Sequence, residues 1–400
     1  MKNFTYYAPT QVEFGKQSEN KAGKLVKKFG GTNVLVHYGG GSVVRSGLLD
    51  IICKSLEEQN IKYTLLGGVV PNPRVSLVRE GIEICRKENI DFIVAVGGGS
   101  TIDSSKAIAA GTNYEGDVWT LYRHEDRIKS AIPVGVVLTI PAAGSEMSDA
   151  SVITNEDGGL KKDYCDSLLR PKFAIMNPEH TFTLPEWQTA CGATDIMMHT
   201  MERYFSNDDD MDVTNVVAEA ILKVVMEHAP IVLAEPENYH SRAQIMWAGS
   251  LAHNDLTGCG NDGDWATHNI EHELSGMFDV SHGAGLAAIW PSWARYTRHQ
   301  NINRFARFAV NVMGVTNHFK SAEETAEAGI RAMEKFYTSI GMPINIKQLV
   351  GRNVTDAEIE EMADKCTNGN TMTVGGLIKL TKEDIDLSKK TVILIDDIKN

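Results

Sequence analysis

The stretch "DFIVAVGGGSTID" (residues 91–103) joins an apolar run to three glycines and then to a helical pattern. A run that is apolar at almost every position is typical of a strand buried on both faces of a parallel sheet. Glycine lets backbone N–H groups approach an anion, and the N-terminus of a following helix adds a favourable partial charge. The stretch therefore predicts a strand, a tight turn and a helix that together bind a phosphate group.

The same rhythm continues on both sides of this stretch. Short β-branched runs at 33–38, 62–66 and 132–140 alternate with apolar residues at helical spacing in 46–59 and 75–89. Such alternation predicts a Rossmann-like α/β domain with a mostly parallel sheet and right-handed crossovers. Sheets of this kind bind ligands beyond the carboxyl ends of their strands.

From Pro185 onward the pattern becomes helical throughout. Thr183 to Glu186 fits a capping box, which predicts the start of the first long helix. We therefore expect an α/β domain at 1–184 and an all-helical domain at 185–400.

Composition excludes several classes of function. The 400-residue chain carries a net charge of −13 along its whole length, which argues against a nucleic-acid partner. It has no apolar run of about 18 residues, so we expect no membrane span. The six cysteines form no C-x-x-C pair, and the first residues lack a basic head followed by an apolar stretch. These features predict a reduced, cytoplasmic protein.

A second glycine turn, Gly39 to Ser42, follows the run at 33–38. Neither turn is a strict G-x-G-x-x-G and neither is a P-loop, and a single glycine turn is often only a tight connection. Two such turns, each at a strand end and each opening a helix, favour a nucleotide. Residues 37–45 contain no acid but offer Ser42 and Arg45, which favours NADP(H) over NAD(H).

Asp195 and His199 are four residues apart in a helical pattern, so both side chains project from one face. Glu202 lies one further turn along. Together with His268 and His282, Asp195 and His199 would form a set of three nitrogens and one oxygen, which suits Fe²⁺ or Zn²⁺.

Two other interpretations of this region stay open at this point. His268, Glu271 and His272 match H-x-x-E-H, the motif of an inverted zinc peptidase. That interpretation leaves both glycine turns, Asp195 and His199 without a role. The same residues also suit the polar face of an ordinary amphipathic helix.

A series of motifs, in order along nearly the whole chain, resembles the iron-containing (group III) alcohol dehydrogenase family, in its NADPH-dependent butanol dehydrogenase and aldehyde reductase branch. The motifs are "PTQVEFG", "YGGGSVVRSG", "PNPR", "AVGGGSTIDSSKAIAAG", "LTIPAAGSEMS", "FAIMNPEHTFTLP", "TDIMMHTMERYF" and "HNIEHELSGMFDVSHGAGLA". The resemblance implies a dehydroquinate synthase-like architecture, in which the domain at 1–184 binds the dinucleotide, the domain at 185–400 binds the metal and the active site lies in the cleft between them. It also implies metal-dependent hydride transfer between NADP(H) and a short-chain aldehyde or primary alcohol such as butanal or butanol, and a homodimer.

The resemblance also implies roles for individual residues. It implies that the metal ligands are Asp195, His199, His268 and His282, and that His272 lies by the substrate and helps to relay the proton. Its cofactor-lining positions are Gly39, Gly40, Gly41, Ser42, Asn72, Gly97, Gly98, Gly99, Ser100, Asp103, Thr139, Ser148, Lys161 and Thr183. Because Lys162 stands next to Lys161, either lysine suits that position.

Related chemistry on the same fold is the remaining alternative. A lyase or synthase, or a polyol-phosphate dehydrogenase, would take a phosphorylated or highly hydroxylated substrate and would show extra basic residues. The region 250–300 instead supplies apolar residues that favour a pocket for a short aliphatic or aromatic aldehyde, although several of them also suit the core: Trp265, Met277, Phe278, Trp290 and Trp293.

Overall fold

The computed structural model describes residues 1–317 and 321–385, which form two compact units. The sheet unit comprises Tyr7–Leu184 and Pro236–Asn254, and the helical unit comprises Met1–Tyr6, Pro185–Glu235 and the described residues from Asp255 onward. These units do not coincide with a simple division at 184/185. The two predicted domains, and the active-site cleft between them, remain predictions.

Of the eight strands in the described residues, six form one parallel sheet in the order β1-β8-β5-β4-β2-β3. The strands are β1 (Gln11–Phe14), β2 (Asn33–Gly39), β3 (Lys62–Val69), β4 (Phe92–Gly97), β5 (Val134–Leu138), β6 (Ala150–Asn155), β7 (Leu160–Cys165) and β8 (Phe173–Met176). The predicted parallel α/β fold is confirmed. β6 and β7 form a separate antiparallel pair.

The apolar runs are continuous because both faces of the sheet are buried. On β2, Val34 belongs to one core cluster and Leu35 to the other, as the two-residue period of a strand requires. Seven helices of the sheet unit cover these faces or connect the strands: α1 (Ala22–Lys28), α2 (Ser42–Arg45), α3 (Leu48–Glu57), α4 (Val75–Glu88), α5 (Gly99–Thr112), α6 (Trp119–Tyr122) and α9 (Tyr239–Ala252).

The strand order places a topological switch point between β2 and β4. From β2 the chain moves outward to the edge strand β3, whereas from β4 it moves the other way to β5. Because β2 and β4 are adjacent and parallel, their carboxyl ends lie at one edge of the sheet. Ligands of open α/β sheets bind at such a point.

The strands β1 and β8, and the β6–β7 pair, were not predicted. β1 and β8 are only four residues long, and they pair with each other in parallel across about 160 residues of chain. β6 and β7 mix polar and apolar residues, including Lys161 and Lys162. None of these segments has the long apolar run that identifies a buried strand.

The helical unit contains nine helices within the described residues. They are α7 (Glu186–Tyr204), α8 (Asp212–Ala234), α10 (Ala266–Phe278), α11 (His282–Thr297), α12 (Ile302–Asn311), α13 (Ala322–Ser339), α14 (Ile346–Val350), α15 (Asp356–Cys366) and α16 (Lys382–Ile385). The predicted capping box of α7 is wrong, because Pro185 is the residue before the helix and no side chain caps it. None of the described helices has the length and apolarity needed to cross a bilayer.

Candidate metal and nucleotide sites

Helix α7 carries three polar side chains on one buried face. Asp195, His199 and Glu202 follow each other at intervals of four and three residues, which aligns them along the helix. All three are almost completely buried. His199 Nδ1 lies 3.0 Å from the carbonyl oxygen of Asp195, which lies one turn back.

Two histidines from other helices meet Asp195. His268 lies in the first turn of α10, and His282 is the first residue of α11. Asp195 Oδ1 is 3.9 Å from His268 Nε2 and 3.7 Å from His282 Nε2. One ligand atom from each of these three residues lies within 4.8 Å of the others, which is the geometry of a candidate cation site.

The fourth predicted ligand, His199, is adjacent to this group but not part of it. Its ring centroid is 4.6 Å from that of His268, and its Nδ1 is 3.2 Å from Asp195 Oδ1. The structure therefore brings Asp195, His268 and His282 together with His199 beside them.

The chemistry of these atoms fits a divalent metal. Asp195 Oδ1 and His268 Nε2 are buried and make no hydrogen bond within the described residues. Burial alone would raise the pKa of Asp195, yet the imidazoles of His199 and His282 hold that pKa well below its usual range. An ionised carboxylate beside imidazole nitrogens is a ligand set that Fe²⁺ and Zn²⁺ accept.

A buried carboxylate lies behind each of the two histidines that face Asp195. Glu202 Oε1 is 3.0 Å from His268 Nδ1 and also accepts the His268 backbone N–H at 2.9 Å. Glu271 Oε2 forms a hydrogen bond with His282 Nδ1. Burial opposes charge on His268, but the Asp195 and Glu202 carboxylates outweigh it and raise the pKa of His268 to about 9.

His272 lies one helical turn after His268 and is half-buried. Its ring centroid is 5.9 Å from that of His282, and its ligand atoms group with those of His282 and Glu271 rather than with those of His268. The H-x-x-E-H motif therefore does not form one compact ligand set here.

Of the five apolar residues predicted to form a substrate pocket, one adjoins this cluster. The Trp265 ring centroid is 5.5 Å from that of His268, and the Arg203 guanidinium lies 4.5 Å above the Trp265 ring. Trp290 and Trp293 are buried against Phe205 in the core, which is the alternative that the sequence left open for several of these residues.

The two glycine turns occupy the switch point of the sheet. Gly39 ends β2 and Ser42 begins α2, while Gly97 ends β4 and Gly99 begins α5. A Cβ added to Gly97 would collide with the Thr101 side chain. Glycine is therefore required where the chain turns tightly from β4 into α5.

Neighbouring groups line the same turns. Thr139, directly after β5, donates its backbone N–H to the Gly97 carbonyl oxygen at 3.0 Å. A Cβ added to Gly41 would collide with the Arg45 guanidinium, which therefore lies against the first turn. Ser42 and Arg45 are both exposed.

Asp103 lies in the first turns of α5 and is held by the loop that follows β5 and by strand β6. Its Oδ1 accepts a hydrogen bond from Ser145 Oγ at 2.6 Å, and its Oδ2 accepts one from the Val152 backbone N–H at 3.1 Å. Burial raises the pKa of Asp103. Both carboxylate oxygens thus bind the protein itself.

Lys106 is a buried cation that the sequence pattern did not single out. Its ammonium donates to Ser145 Oγ, to the Ser148 carbonyl and to the Ala150 carbonyl at 2.8–2.9 Å. Burial lowers its pKa to about 8, against the attraction of nearby carboxylates, first among them Asp103. Its position three residues after Asp103 on a helix was the only signal, and a weak one.

The remaining predicted cofactor residues also lie in the sheet unit. Asn72 is buried in the turn after β3 with a left-handed backbone, φ 53°, and Ser148 is buried beside Lys106. On β7, Lys161 is buried whereas Lys162 is partly exposed, because adjacent strand residues point to opposite faces. Thr183 is exposed near the end of the unit.

Comparisons with known proteins cover nearly the whole chain. The model of the family described as iron-containing alcohol dehydrogenase matches residues 9–178, and the model of the C-terminal part of that family matches residues 189–390. The probable NADH-dependent butanol dehydrogenase 1 of Bacillus subtilis is 42% identical, over 96% of this chain and 98% of its own. The NADPH-dependent aldehyde reductase YqhD of Escherichia coli is 36% identical, over 86% of this chain and 89% of its own. The crystal structure of NADH-dependent butanol dehydrogenase A from Thermotoga maritima superimposes with a TM-score of 0.92 at 35% identity, covering 96% of this chain and 97% of its own.

Proposed function

The chain belongs to the iron-containing alcohol dehydrogenase family and is an alcohol dehydrogenase, and we propose that it interconverts short-chain aldehydes and primary alcohols, such as butanal and butanol. We propose further that it uses NADP(H) and one divalent metal, Fe²⁺ or Zn²⁺. The observation that carries this proposal is the convergence of Asp195, His268 and His282 in a buried cluster. We assign the metal to these three residues and to His199 beside them.

The chain's own residues prepare the reaction. When bound, the metal supplies Lewis acidity to the substrate oxygen and the nicotinamide supplies or accepts the hydride. Asp195 offers an ionised oxygen, and His268 and His282 offer Nε2 atoms whose opposite nitrogens are held by carboxylates. We assign to His272 the relay of the hydroxyl proton, because an imidazole ordinarily titrates near neutral pH and this one is half-buried beside His282.

The preference for NADP(H) is supported by the first glycine turn. It contains no acid that would repel a 2′-phosphate, and the Arg45 guanidinium lies against Gly41. The second turn, Gly97 to Ser100, offers backbone N–H groups and the N-terminus of α5 to the pyrophosphate. The similar proteins include both NADH-dependent and NADPH-dependent enzymes, so the preference needs a direct measurement.

The test is oxidation of NADPH and NADH with butanal, methylglyoxal and dihydroxyacetone, on metal-stripped protein and after addition of Fe²⁺ or Zn²⁺. We expect turnover only with metal, and loss of that turnover in His268→Ala. The matched control is His299→Ala, which removes an exposed histidine. Absence of turnover with every aldehyde and cofactor, or full activity of His268→Ala in metal-free buffer, would overturn the proposal.

The two alternative functions lack support at the site. In a peptidase of the H-x-x-E-H type, Glu271 would face a water molecule, but here its two oxygens bond to His282 and Ser275. The similar proteins do not favour a lyase or a polyol-phosphate dehydrogenase, since each of the three is named as a butanol dehydrogenase or an aldehyde reductase. Dimer formation and a cytoplasmic location remain predictions.

A further inference from the structure

His199 differs from the other two histidines of the candidate metal site, because its Nδ1 lies 3.2 Å from Asp195 Oδ1 itself and 3.0 Å from the Asp195 carbonyl oxygen. His268 and His282 each have a carboxylate at Nδ1, while their Nε2 atoms face Asp195 Oδ1. For His268 the carboxylate is that of Glu202, and for His282 it is that of Glu271. His268 and His282 lie in the first turns of their helices.

Glu271 is built into its position. It is completely buried, and its Oε1 accepts a hydrogen bond from Ser275 Oγ one turn later on α10. On the opposite side, a Cβ added to Gly285 of α11 would lie 2.8 Å from the Glu271 Cγ and Oε1 atoms. The absence of a side chain at 285 therefore makes room for a carboxylate behind His282.

Glu202 performs the same task for His268 and also holds the start of α10. Its Oε2 accepts the Trp265 backbone N–H at 2.8 Å, while its Oε1 accepts the His268 backbone N–H at 2.9 Å. Trp265 has a left-handed backbone, φ 69°, directly before the helix. One side chain thus anchors both the helix and the ring that it carries.

We infer that Glu202 and Glu271 are positioning residues that hold the Nδ1–H of His268 and His282, so that both Nε2 lone pairs face Asp195 and bind the metal more tightly. The inference rests on the proposed function, since it presupposes a metal at this cluster. A carboxylate behind a ligating imidazole fixes the ring and its tautomer and raises its basicity, and its loss typically weakens metal binding by about 10–100-fold.

A second metal ion is the competing explanation for Glu271. Its oxygens, His272 and the Nδ1 side of His282 also lie close enough to hold a cation. We favour the positioning role because Glu271 already bonds to both His282 and Ser275. The two explanations predict different numbers of bound ions.

The test measures the dissociation constant and stoichiometry of Zn²⁺ by chelator competition, together with the visible spectrum of the Co²⁺-loaded protein. Glu271→Gln keeps a neutral acceptor and Glu271→Leu removes it. The matched controls are Glu219→Gln and Glu219→Leu, which change a buried glutamate bonded to Tyr204 and Arg307 instead. Thermal unfolding of each metal-free protein shows whether it folds.

We expect one ion per chain, about 10-fold weaker binding in Glu271→Gln and about 100-fold weaker binding in Glu271→Leu, with a changed Co²⁺ spectrum. We expect both Glu219 variants to keep the wild-type dissociation constant and spectrum. If the Leu variant does not fold, Glu271→Gln decides.

Unchanged affinity and spectrum in a folded Glu271 variant would overturn the inference while leaving the proposed function intact. Loss of a second equivalent of metal, with the first unaffected, would also overturn it and make Glu271 a ligand. A wild-type protein that binds no divalent ion would overturn the proposed function itself.

Discussion

His37 on β2 links the β2–α2 segment to helix α5 of the β4–α5 segment through a buried hydrogen bond. Its ring is completely buried, with Nδ1 2.8 Å from the Leu66 carbonyl oxygen and Nε2 2.9 Å from Ser104 Oγ on α5. The neutral ring suits both partners, donating to the carbonyl oxygen and accepting from the hydroxyl. We predict that acidification destabilises the sheet unit through this histidine.

The size of the effect follows from the pKa. Burial lowers the pKa of His37 from 6.5 to about 4, and the hydrogen bond to Leu66 opposes this only in part. The unfolded chain therefore binds a proton that the folded chain refuses, so stability is present at neutral pH and is lost as the pH falls from about 6.5 to about 4. The loss is about 2 kcal/mol at pH 5 and about 3 kcal/mol once the pH is below the folded pKa.

The assay compares the free energy of unfolding by urea at pH 7.5, 6 and 5 for the wild type and for His37→Gln. Glutamine does not titrate, so the variant should lose about 2 kcal/mol less than the wild type between pH 7.5 and pH 5. Buried carboxylates affect both proteins equally and cancel in the difference. His299→Gln, which changes an exposed histidine, should follow the wild-type pH dependence. Parallel pH profiles for the wild type and His37→Gln would refute this reasoning.

Three further substitutions test other contacts. Arg45→Ala should raise the KM for NADPH by about 10-fold and leave that for NADH nearly unchanged, because it removes one charged hydrogen-bond donor; steady-state kinetics with both cofactors would show this, and equal changes would contradict it. Lys106→Met should destabilise the protein by about 3 kcal/mol, since it leaves the buried Asp103 carboxylate without its nearest cation; a thermal unfolding temperature equal to that of the wild type would disprove the contribution. Gly285→Ala should cost about 1–3 kcal/mol of stability and weaken Zn²⁺ binding, because the added methyl group displaces Glu271. Thermal unfolding measures the stability and chelator competition measures the Zn²⁺ affinity; an unchanged Zn²⁺ affinity would count against the packing argument.

The sequence predicted well the features that depend on near neighbours. The strands at 33–38, 62–66, 91–96 and 132–140 were visible as apolar runs, and the structure has a strand at each. The four-residue spacing of Asp195 and His199 indicated that both side chains share one helix face, and both lie on the buried face of α7. The capping box at Thr183 failed because a proline occupies the position before α7.

Features that need distant segments were out of reach. Residue types suggested that His282 and Asp195 share a metal, and the resemblance to a family assigned them as ligands, but no local spacing shows that two residues 87 positions apart meet. Local pattern also gave no reason to separate Trp290, which lies in the core, from Trp265, which lies beside the histidines.

The parallel α/β fold, the two glycine turns and the polar face of α7 could be predicted from the residues alone, because backbone propensity, glycine's freedom and helical periodicity act over a few residues. Which turns are neighbours became visible in the tertiary structure, since that follows from the strand order β5-β4-β2. The tertiary structure also shows that Glu271 faces His282, although in the sequence it belongs to a peptidase motif with His268 and His272. The direction of the Glu271 side chain is set by the packing of α10 against α11 and by the absence of a side chain at Gly285, and no local pattern encodes that packing.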